Sequence, residues 1–276
     1  MLKHRTARKN SSSEEDIKDR CVNDVLFYYN QHGRHSLPWR KKINPYRIIV
    51  SEIMLQQTQV SRVISKFEIW IKKYPTLASL RNSSLREVLI LWQGLGYQRR
   101  AKALLSIAKE NEKLPKHFED LIKLPGVGIY TASAVCAFAY NQFSHPVLET
   151  NIRTVLIEYF HNKETKVEDH VLYNDLLWLE DDSNVKKLGA RKWYYALMDY
   201  GAFLEGKNIS HNKKSARYIV QSPYKGSLRE LRAKVLFAII HKKSLPKNSK
   251  LQDVLKQLEK EKYLIKKKSE YVLREI

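Results

Sequence analysis

The chain has 276 residues, 43% of them hydrophobic, which is enough for one large core or two smaller ones. Fifty Lys and Arg against 29 Asp and Glu give a net charge of +21, which favours a polyanionic partner: nucleic acid first, an acidic membrane surface second. The two cysteines exclude a disulfide framework and a four-cysteine metal or cluster site, and they fit a reducing intracellular compartment, cytoplasm or nucleoid. No stretch approaches the roughly 20 apolar residues of a membrane span, so no membrane partner is expected.

Residues 1–15 are basic and polar without an apolar core, so we expect a disordered basic arm rather than a secretory signal. A first helix then follows a Ser-rich cap and ends at Gly33. Up to residue 222 the apolar residues recur at helical spacing and no alternating strand pattern is visible. Further helices are predicted over residues 46–58, 59–74, 84–96, 98–113, 117–124, 130–140, 144–160, 168–180 and 190–204.

A break at "SPYKG", residues 222–226, separates a C-terminal segment from this helical part. Two helical stretches and two short alternating runs around "KKSE" follow it. This order predicts a small winged-helix-like unit over residues 223–276. Its helix and basic hairpin could lie against DNA, or the unit could be a structural cap on the main domain.

The segment "LPGVG", Leu124 to Gly128, predicts a tight turn between two helices. Gly126 and Gly128 flank Val127 and let the backbone come close to a ligand. The helical stretch that follows places backbone N–H groups at a helix N-terminus, where a phosphate can bind. With "FEDLIKL" before it, the segment fits a helix–hairpin–helix that grips a DNA backbone, although glycine-bearing turns between helices are also common.

Two acids stand out by their surroundings. Glu52 lies in "SEIMLQQTQV", on an apolar helix that carries a run of uncharged amides where Lys or Glu would be usual. Such a carboxyl group would be partly desolvated and could donate a proton near neutral pH, unless it is an ordinary solvated surface residue. Glu149 lies in "VLETNIR" just before a helix, where a carboxylate most often caps the helix N-terminus.

Five motifs occur in a fixed order: "LPWR" at 37–40, "NPYRIIVSEIMLQQTQV" at 44–60, "LWQGLGYQRRAKAL" at 91–104, "LPGVGIYTASAV" at 124–135 and "VLETNIRTVL" at 147–156. Together they resemble the helix–hairpin–helix (HhH-GPD) superfamily of base-excision DNA glycosylases, and within it the MutY adenine glycosylases. The resemblance is close over residues 37–156 and loose to about residue 220. It implies a mainly α, two-lobed HhH-GPD fold over residues 16–222. A six-helix barrel lobe would cover about 39–145, and a second lobe would join 16–38 to 146–222.

The resemblance also assigns catalytic roles. Glu52 aligns with the family's acid, which protonates a purine ring nitrogen. Glu149 aligns with the catalytic aspartate, which stabilises the positive sugar of an oxocarbenium-like transition state. Asn151 matches the asparagine that orients the reacting groups. Tyr130 falls where bifunctional relatives carry a Schiff-base lysine, so base removal should end at an abasic site.

DNA contacts are implied in the same way. The target base must leave the duplex, and Gln56 and Gln57 would fill the space and bond the orphaned partner base. Tyr97 would act as an intercalating wedge, unless it packs in the core beside Trp92. The other implied DNA-contacting residues are Arg99, Gly126, Val127 and Gly128. The carbonyls of Leu124 and Val127 could hold Na⁺ or K⁺.

Three departures from the family affect these assignments. The segment after residue 200 lacks the four cysteines that hold the family's iron–sulfur cluster, so no cluster is expected, and Lys213, Lys214 and Arg217 could take over its phosphate contacts. Glu149 is one methylene longer than the family aspartate, a displacement of roughly 1 Å, which is enough to affect rate. The unit after residue 223 is too short to be the domain by which MutY recognises 8-oxoguanine.

The sequence therefore predicts a monofunctional DNA glycosylase that hydrolyses the N-glycosidic bond of a flipped, mispaired base in double-stranded DNA. Adenine opposite 8-oxoguanine or guanine is the expected target, because "MLQQTQ" favours the adenine enzymes. We expect a monomer without a cofactor. The alternatives are a thymine or uracil glycosylase acting on G·T or G·U mismatches, and a non-catalytic DNA-binding protein that recognises distortions.

Overall fold

A computed structural model describes residues 12–216, 222–268 and 270–274. The chain forms two compact units. The first unit combines the described parts of residues 1–36 and 133–219, and the second combines those of 37–132 and 220–276. None of the described helices is long and apolar enough to cross a membrane.

The second unit contains the helices between residues 37 and 132. They are α2 (Pro38–Lys41), α3 (Pro45–Leu55), α4 (Val60–Lys73), α5 (Leu77–Arg81), α6 (Leu85–Trp92), α7 (Arg99–Glu110), α8 (Phe118–Leu121) and the start of α9 (Ile129–Tyr140). Asn44 caps α3 by accepting from the Arg47 N–H, and Pro45 supplies the first helical position. The rings of Trp70 and Trp92 meet edge to face, with centroids 5.5 Å apart, in the core between α4 and α6.

The C-terminal segment belongs to this second unit. It consists of α14 (Leu228–Ile240), α15 (Leu251–Lys260) and a hairpin of β1 (Leu264–Lys267) and β2 (Glu270–Leu273). The strands pair antiparallel, with Leu264 opposite Leu273, and pack on α15 and α14 respectively. The predicted order of two helices and a short hairpin is thus confirmed.

The described part of the first unit consists of helices and connecting loops, with one bridge between Val167 and Ser215. Its elements are α1 (Ser12–His32), the rest of α9, α10 (Thr150–Phe160), α11 (Asp169–Glu180), α12 (Ser183–Leu188), α13 (Ala190–Gly206) and a 3₁₀ turn (Asn212–Lys214). Helix α13 packs against both α1 and α10 and buries Trp193 and Tyr194 completely.

Several boundaries of segments and units differ from those predicted from the sequence. The arm predicted over residues 1–15 is too long, because α1 begins at Ser12 with Glu14 and Glu15 in its first turn, where acids favour a helix start; residues 1–11 lie outside the described part. The division between the units falls after residue 132, inside α9, rather than near residue 145. Residues of α9 beyond that point join the first unit because Phe138 stacks on Tyr195 at 4.3 Å and Arg191 donates to the Phe138 carbonyl.

Helix ends also differ. The helix predicted over 46–58 ends at Leu55, and the one predicted over 84–96 ends at Trp92. In both cases the chain turns into left-handed backbone, at Gln57 (φ 54°) and at Gly94 (φ 90°), which ends the helix. The helix predicted over 144–160 begins only at Thr150.

Candidate active site

Glu52 occupies the last turns of α3 in the second unit. Its neighbours Ile49 and Ile53 are fully buried, and Glu52 itself is only 3% exposed. Tyr130, at the start of α9, donates its hydroxyl hydrogen bond to Glu52 Oε2 at 2.9 Å. The alternative of a solvated surface residue is therefore wrong for Glu52: it is a buried carboxyl group that accepts a hydrogen bond from Tyr130, beyond the hairpin.

Glu149 and Asn151 lie together in the first unit. Glu149 is the N-cap of α10 and accepts from the Ile152 N–H at 3.0 Å and from the Asn151 amide at 3.1 Å. Burial raises the pKa of Glu149, while these N–H donors and the charge of Arg34 oppose that shift. The capping alternative is thus correct, and the same contacts fix the carboxylate in place for any chemical role.

A glycine secures this geometry. A Cβ atom at Gly201 of α13 would lie 2.1 Å from the Asn151 carbonyl oxygen, so α13 can approach the start of α10 only without a side chain there. Arg34 is held beside α13 by Asp199, with Nε to Oδ1 at 2.6 Å and the backbone N–H to Oδ2 at 2.8 Å.

Gln56 and Gln57, both predicted to contact DNA, have different surroundings. Gln56 is the C-cap of α3, and its amide NH₂ donates to the Gly126 carbonyl at 3.2 Å and to Thr131 Oγ1 at 3.1 Å. Gln56 therefore ties α3 to the hairpin as well as lying beside it. Gln57 is exposed and has a left-handed backbone (φ 54°).

Tyr97 follows a turn with two left-handed glycines, Gly94 and Gly96, and is itself left-handed at φ 46°. Backbone of this kind costs of order 1–3 kcal/mol in a non-glycine residue and is often found at functional positions. Tyr97 is half-buried, whereas Trp92 is 1% exposed and donates its indole N–H to the Gly96 carbonyl at 2.9 Å. The exposed Arg99 lies with its guanidinium 5.6 Å from the Tyr97 ring.

Arg100 bonds both the turn at Gln57 and the turn at Tyr97. It was not among the predicted site residues. Its guanidinium is 4% exposed and donates to the carbonyls of Met54 (2.9 Å), Leu95 (2.8 Å) and Gly96 (3.2 Å), with further bonds to Ile53, Gln56 and Thr58. Burial lowers its pKa to about 10, so it stays charged at neutral pH. Nothing in the sequence indicated that Arg100 is buried, because it is a basic residue that directly follows Arg99, a proposed DNA contact.

The "LPGVG" hairpin is a tight turn as predicted. The Leu124 carbonyl accepts the Val127 N–H at 3.1 Å, and α9 begins directly afterwards. Gly126 has φ 75°, and a Cβ atom on it would lie 2.8 Å from Ala103 of α7, so only glycine fits. Val127 is buried, whereas Gly126 and Gly128 are exposed, so the glycines present backbone to the solvent. The Na⁺ or K⁺ site at these carbonyls stays a prediction.

The segment after α13 does not fit an iron–sulfur cluster. A cluster takes four cysteine thiolates, whereas Cys21 and Cys136 are both buried in other helices. This segment is held instead by the Val167–Ser215 bridge, by His211 Nε2 at 2.5 Å from Glu158, and by Lys214, whose ammonium donates to the Asn162 carbonyl at 2.7 Å. Lys214 thus has a structural contact, Lys213 is exposed, and Arg217 lies outside the described residues.

Comparisons with known proteins agree with these features. Residues 50–177 match the model of the HhH-GPD superfamily of base excision DNA repair proteins. The chain is 39% identical over 186 residues to the adenine DNA glycosylase of Buchnera aphidicola subsp. Baizongia pistaciae, covering 65% of this chain and 51% of that one. It is 44% identical over 144 residues to the enzyme of Mycolicibacterium smegmatis, covering 50% and 48%. The chain spans about half the length of these relatives.

Solved structures support the fold. A thermostable thymine-DNA glycosylase superposes with a TM-score of 0.63 at 22% identity, over 74% of this chain and 94% of that one. An endonuclease III–DNA covalent intermediate superposes with a TM-score of 0.51 at 19% identity, over 79% and 94%. The mainly α HhH-GPD fold is therefore confirmed. Residues 50–177 match the HhH-GPD superfamily of base excision DNA repair proteins, and the chain is similar to adenine DNA glycosylases.

Proposed function

We propose that this protein is a monofunctional base-excision DNA glycosylase that removes adenine mispaired with 8-oxoguanine or guanine in double-stranded DNA. The observation that carries the proposal is the buried Glu52 with the Tyr130 hydroxyl 2.9 Å from its carboxylate. This pair lies in the domain shared with the HhH-GPD superfamily and with the adenine DNA glycosylases.

Glu52 is the proposed general acid. Its apolar surroundings favour the neutral carboxyl group, which protonates a ring nitrogen of the flipped adenine. The N-glycosidic bond then breaks, its electron pair leaves with the base, and the sugar becomes an oxocarbenium ion. Tyr130 orients the Glu52 carboxyl group through the hydroxyl contact.

Glu149 is the proposed stabiliser of the positive sugar. Its carboxyl group is held by the Asn151 amide and the Ile152 N–H, which oppose the rise in pKa that burial causes. A water molecule then adds to the sugar carbon and gives a proton to the Glu52 carboxylate, which restores the acid, and an abasic site remains. A preorganised charge of this kind is worth more than one that must reorient during the reaction.

The hairpin and the two turns held by Arg100 are the proposed DNA contacts. Exposed backbone at Gly126 and Gly128 and the N-terminus of α9 suit a phosphate group. Gln57 and Tyr97, both in left-handed backbone at turns held by Arg100, suit insertion into the duplex beside the vacated position. We further propose that the protein acts as a monomer and without an iron–sulfur cluster.

A panel of duplexes with single A·8-oxoG, A·G, T·G, U·G and hypoxanthine pairs tests the proposal. We expect strand breaks at adenine only after treatment with alkali, because Tyr130 stands where bifunctional relatives carry the lysine that forms a Schiff base. Glu52→Gln should lower the single-turnover rate by about 10²–10⁴-fold, the usual contribution of a general acid. Excision confined to T·G or U·G would favour the thymine or uracil enzyme, and no excision by the unaltered chain would leave a DNA-binding protein.

A further inference from the structure

The C-terminal segment is anchored on the helix that follows the Tyr97 turn. Lys102 of α7 donates to the backbone carbonyls of Glu261 and Lys262, and its ammonium lies 4.8 Å from the centre of the Tyr263 ring. Gln93 bonds His241 at 2.8 Å. These contacts fix α14 and α15 on the main body of the second unit.

One contact of this segment goes to Tyr97 itself. Arg229, in the first turn of α14, donates Nη1 to the Tyr97 hydroxyl at 2.8 Å and Nη2 to the Ser222 carbonyl at 2.6 Å. A residue 132 positions away in the chain therefore holds the ring that is proposed to enter the duplex. A guanidinium carries five N–H donors and can bond several acceptors at once.

A groove of about 930 Å³ opens between these parts of the second unit. One wall carries Gln56, Tyr97 and Gly126, and the other carries Tyr224, Arg229 and Arg232. Five cationic side chains line it against one carboxylate: Arg99, Arg100, Lys102, Arg229 and Arg232 against Glu261. Arg232 bonds that carboxylate twice, at 2.7 and 3.2 Å, and the lining as a whole carries an excess of positive charge.

We propose that this groove binds the phosphodiester backbone of the DNA strand that adjoins the probed base, with Arg99 and Arg229 as the phosphate contacts. The inference rests on the proposed function, because that function places Gln56, Tyr97 and Gly126 against DNA. Excess positive charge beside those residues fits a polyanion, and arginine suits phosphate recognition.

The groove departs from the usual winged-helix arrangement. The basic hairpin lies elsewhere in the unit. Its Lys266 lines a separate depression together with Arg86 and Lys242, and none of these three residues lines the groove. The C-terminal segment would thus contact DNA through the first turns of α14, next to the wedge residue, and not through its hairpin.

The test compares two doubly substituted proteins that lose the same charge. Arg99→Gln/Arg229→Gln removes the proposed phosphate contacts, and Lys266→Gln/Lys267→Gln removes two hairpin lysines. Both are made in the full chain with Glu52→Gln, so that no base is excised during binding. Fluorescence anisotropy with a labelled duplex bearing one A·G mismatch gives Kd across a range of NaCl concentrations.

Each lost phosphate contact lowers the slope of log Kd against log salt by about 0.9. We expect the slope to fall by about 2 for the groove protein and to stay unchanged for the hairpin protein. If the double variant folds poorly, Arg99→Gln alone serves as the test, because Arg99 is exposed. It should give half the expected fall in slope.

Three results would overturn the proposal: a fall in slope only for the hairpin protein, an equal fall for both, or no fall for either. Binding is measured independently of base removal. An unaltered chain that excises no base can therefore still show the groove effect, and failure of the proposed function is distinguishable from failure of the groove.

Discussion

At the scale of single residues, the two carboxyl groups predicted to be catalytic have unlike surroundings. Glu52 lies among buried aliphatic side chains and accepts from the Tyr130 hydroxyl, whereas Glu149 accepts from a backbone N–H and a side-chain amide. Burial raises the pKa of Glu149, and its N–H donors oppose that rise. Environments of this kind let two carboxyl groups take separate tasks, as in enzymes that hydrolyse glycosidic bonds.

Tyr130 offers the sharpest test at this scale. Tyr130→Lys would place an amine beside Glu52, where the tyrosine hydroxyl now lies. We expect some lyase activity, because an amine that attacks the sugar carbon forms an imine, and the imine permits strand cleavage. Borohydride should then trap a covalent protein–DNA adduct, which the unaltered chain should not give.

Tyr130→Phe is the matched control for that experiment. It supplies no amine, so it should give no adduct. It also loses one hydrogen bond to Glu52, worth about 0.5–1.5 kcal/mol, and should slow base removal by about tenfold or less. If the lysine variant excises the base but yields no adduct, residue 130 does not face the sugar.

At the scale of elements, the end of α3 and the Tyr97 turn depend on one buried guanidinium. Arg100→Met would leave the carbonyls of Met54, Leu95 and Gly96 without this donor. A buried polar group left unsatisfied costs about 1–3 kcal/mol, so we expect a loss of about 2–4 kcal/mol in the free energy of unfolding. Urea unfolding measures it, and base removal should be lost as well.

The neighbouring Arg99 provides the control for Arg100. It is exposed, and Arg99→Met should change the free energy of unfolding by about 0.5 kcal/mol or less. Equal losses for both variants would show that Arg100 contributes only its charge and not its hydrogen bonds to the two turns.

These elements also show what the sequence could predict. Local signals predicted a helix from residue 46, the glycine hairpin and the cap at Glu149, because each depends on residues within a few positions. The family motifs singled out Glu52. The roles of Arg100 and Arg229 were not visible, because their partners lie up to 47 and 132 positions away. Such contacts follow from tertiary packing rather than from local pattern.

At the scale of the whole molecule, buried ionisable groups of the first unit link its stability to pH. Hydrogen bonds to Asp175 (2.6 Å) and Glu164 (2.7 Å) oppose the effect of burial on His161 and raise its pKa above the ordinary value. Burial raises the pKa of Glu180, bonded by Tyr194, to about 7. Both groups therefore hold a proton more tightly in the folded chain than in the unfolded chain.

The sign of the pH effect follows from this difference in proton binding. A group whose pKa is raised on folding favours the folded state at low pH, and this advantage is lost as the pH rises through the folded pKa. For Glu180 the loss runs from about pH 4.5 to about pH 7, and for His161 it runs upward from about pH 6.5. Glu87, Asp120 and Glu230 have lowered pKa values. They change the free energy of unfolding only below about pH 4.5, outside this window.

We therefore expect the free energy of unfolding to fall between about pH 5 and pH 8, by on the order of 2 kcal/mol, since one pKa unit corresponds to about 1.4 kcal/mol. Urea unfolding at several pH values measures the fall. Glu180→Gln keeps an acceptor for Tyr194 but cannot titrate, and should remove the part below pH 7. His161→Gln should remove the part above about pH 6.5. Glu149, whose pKa burial also raises, should account for the remainder, so a fall of undiminished size in the double variant would contradict the linkage to Glu180 and His161.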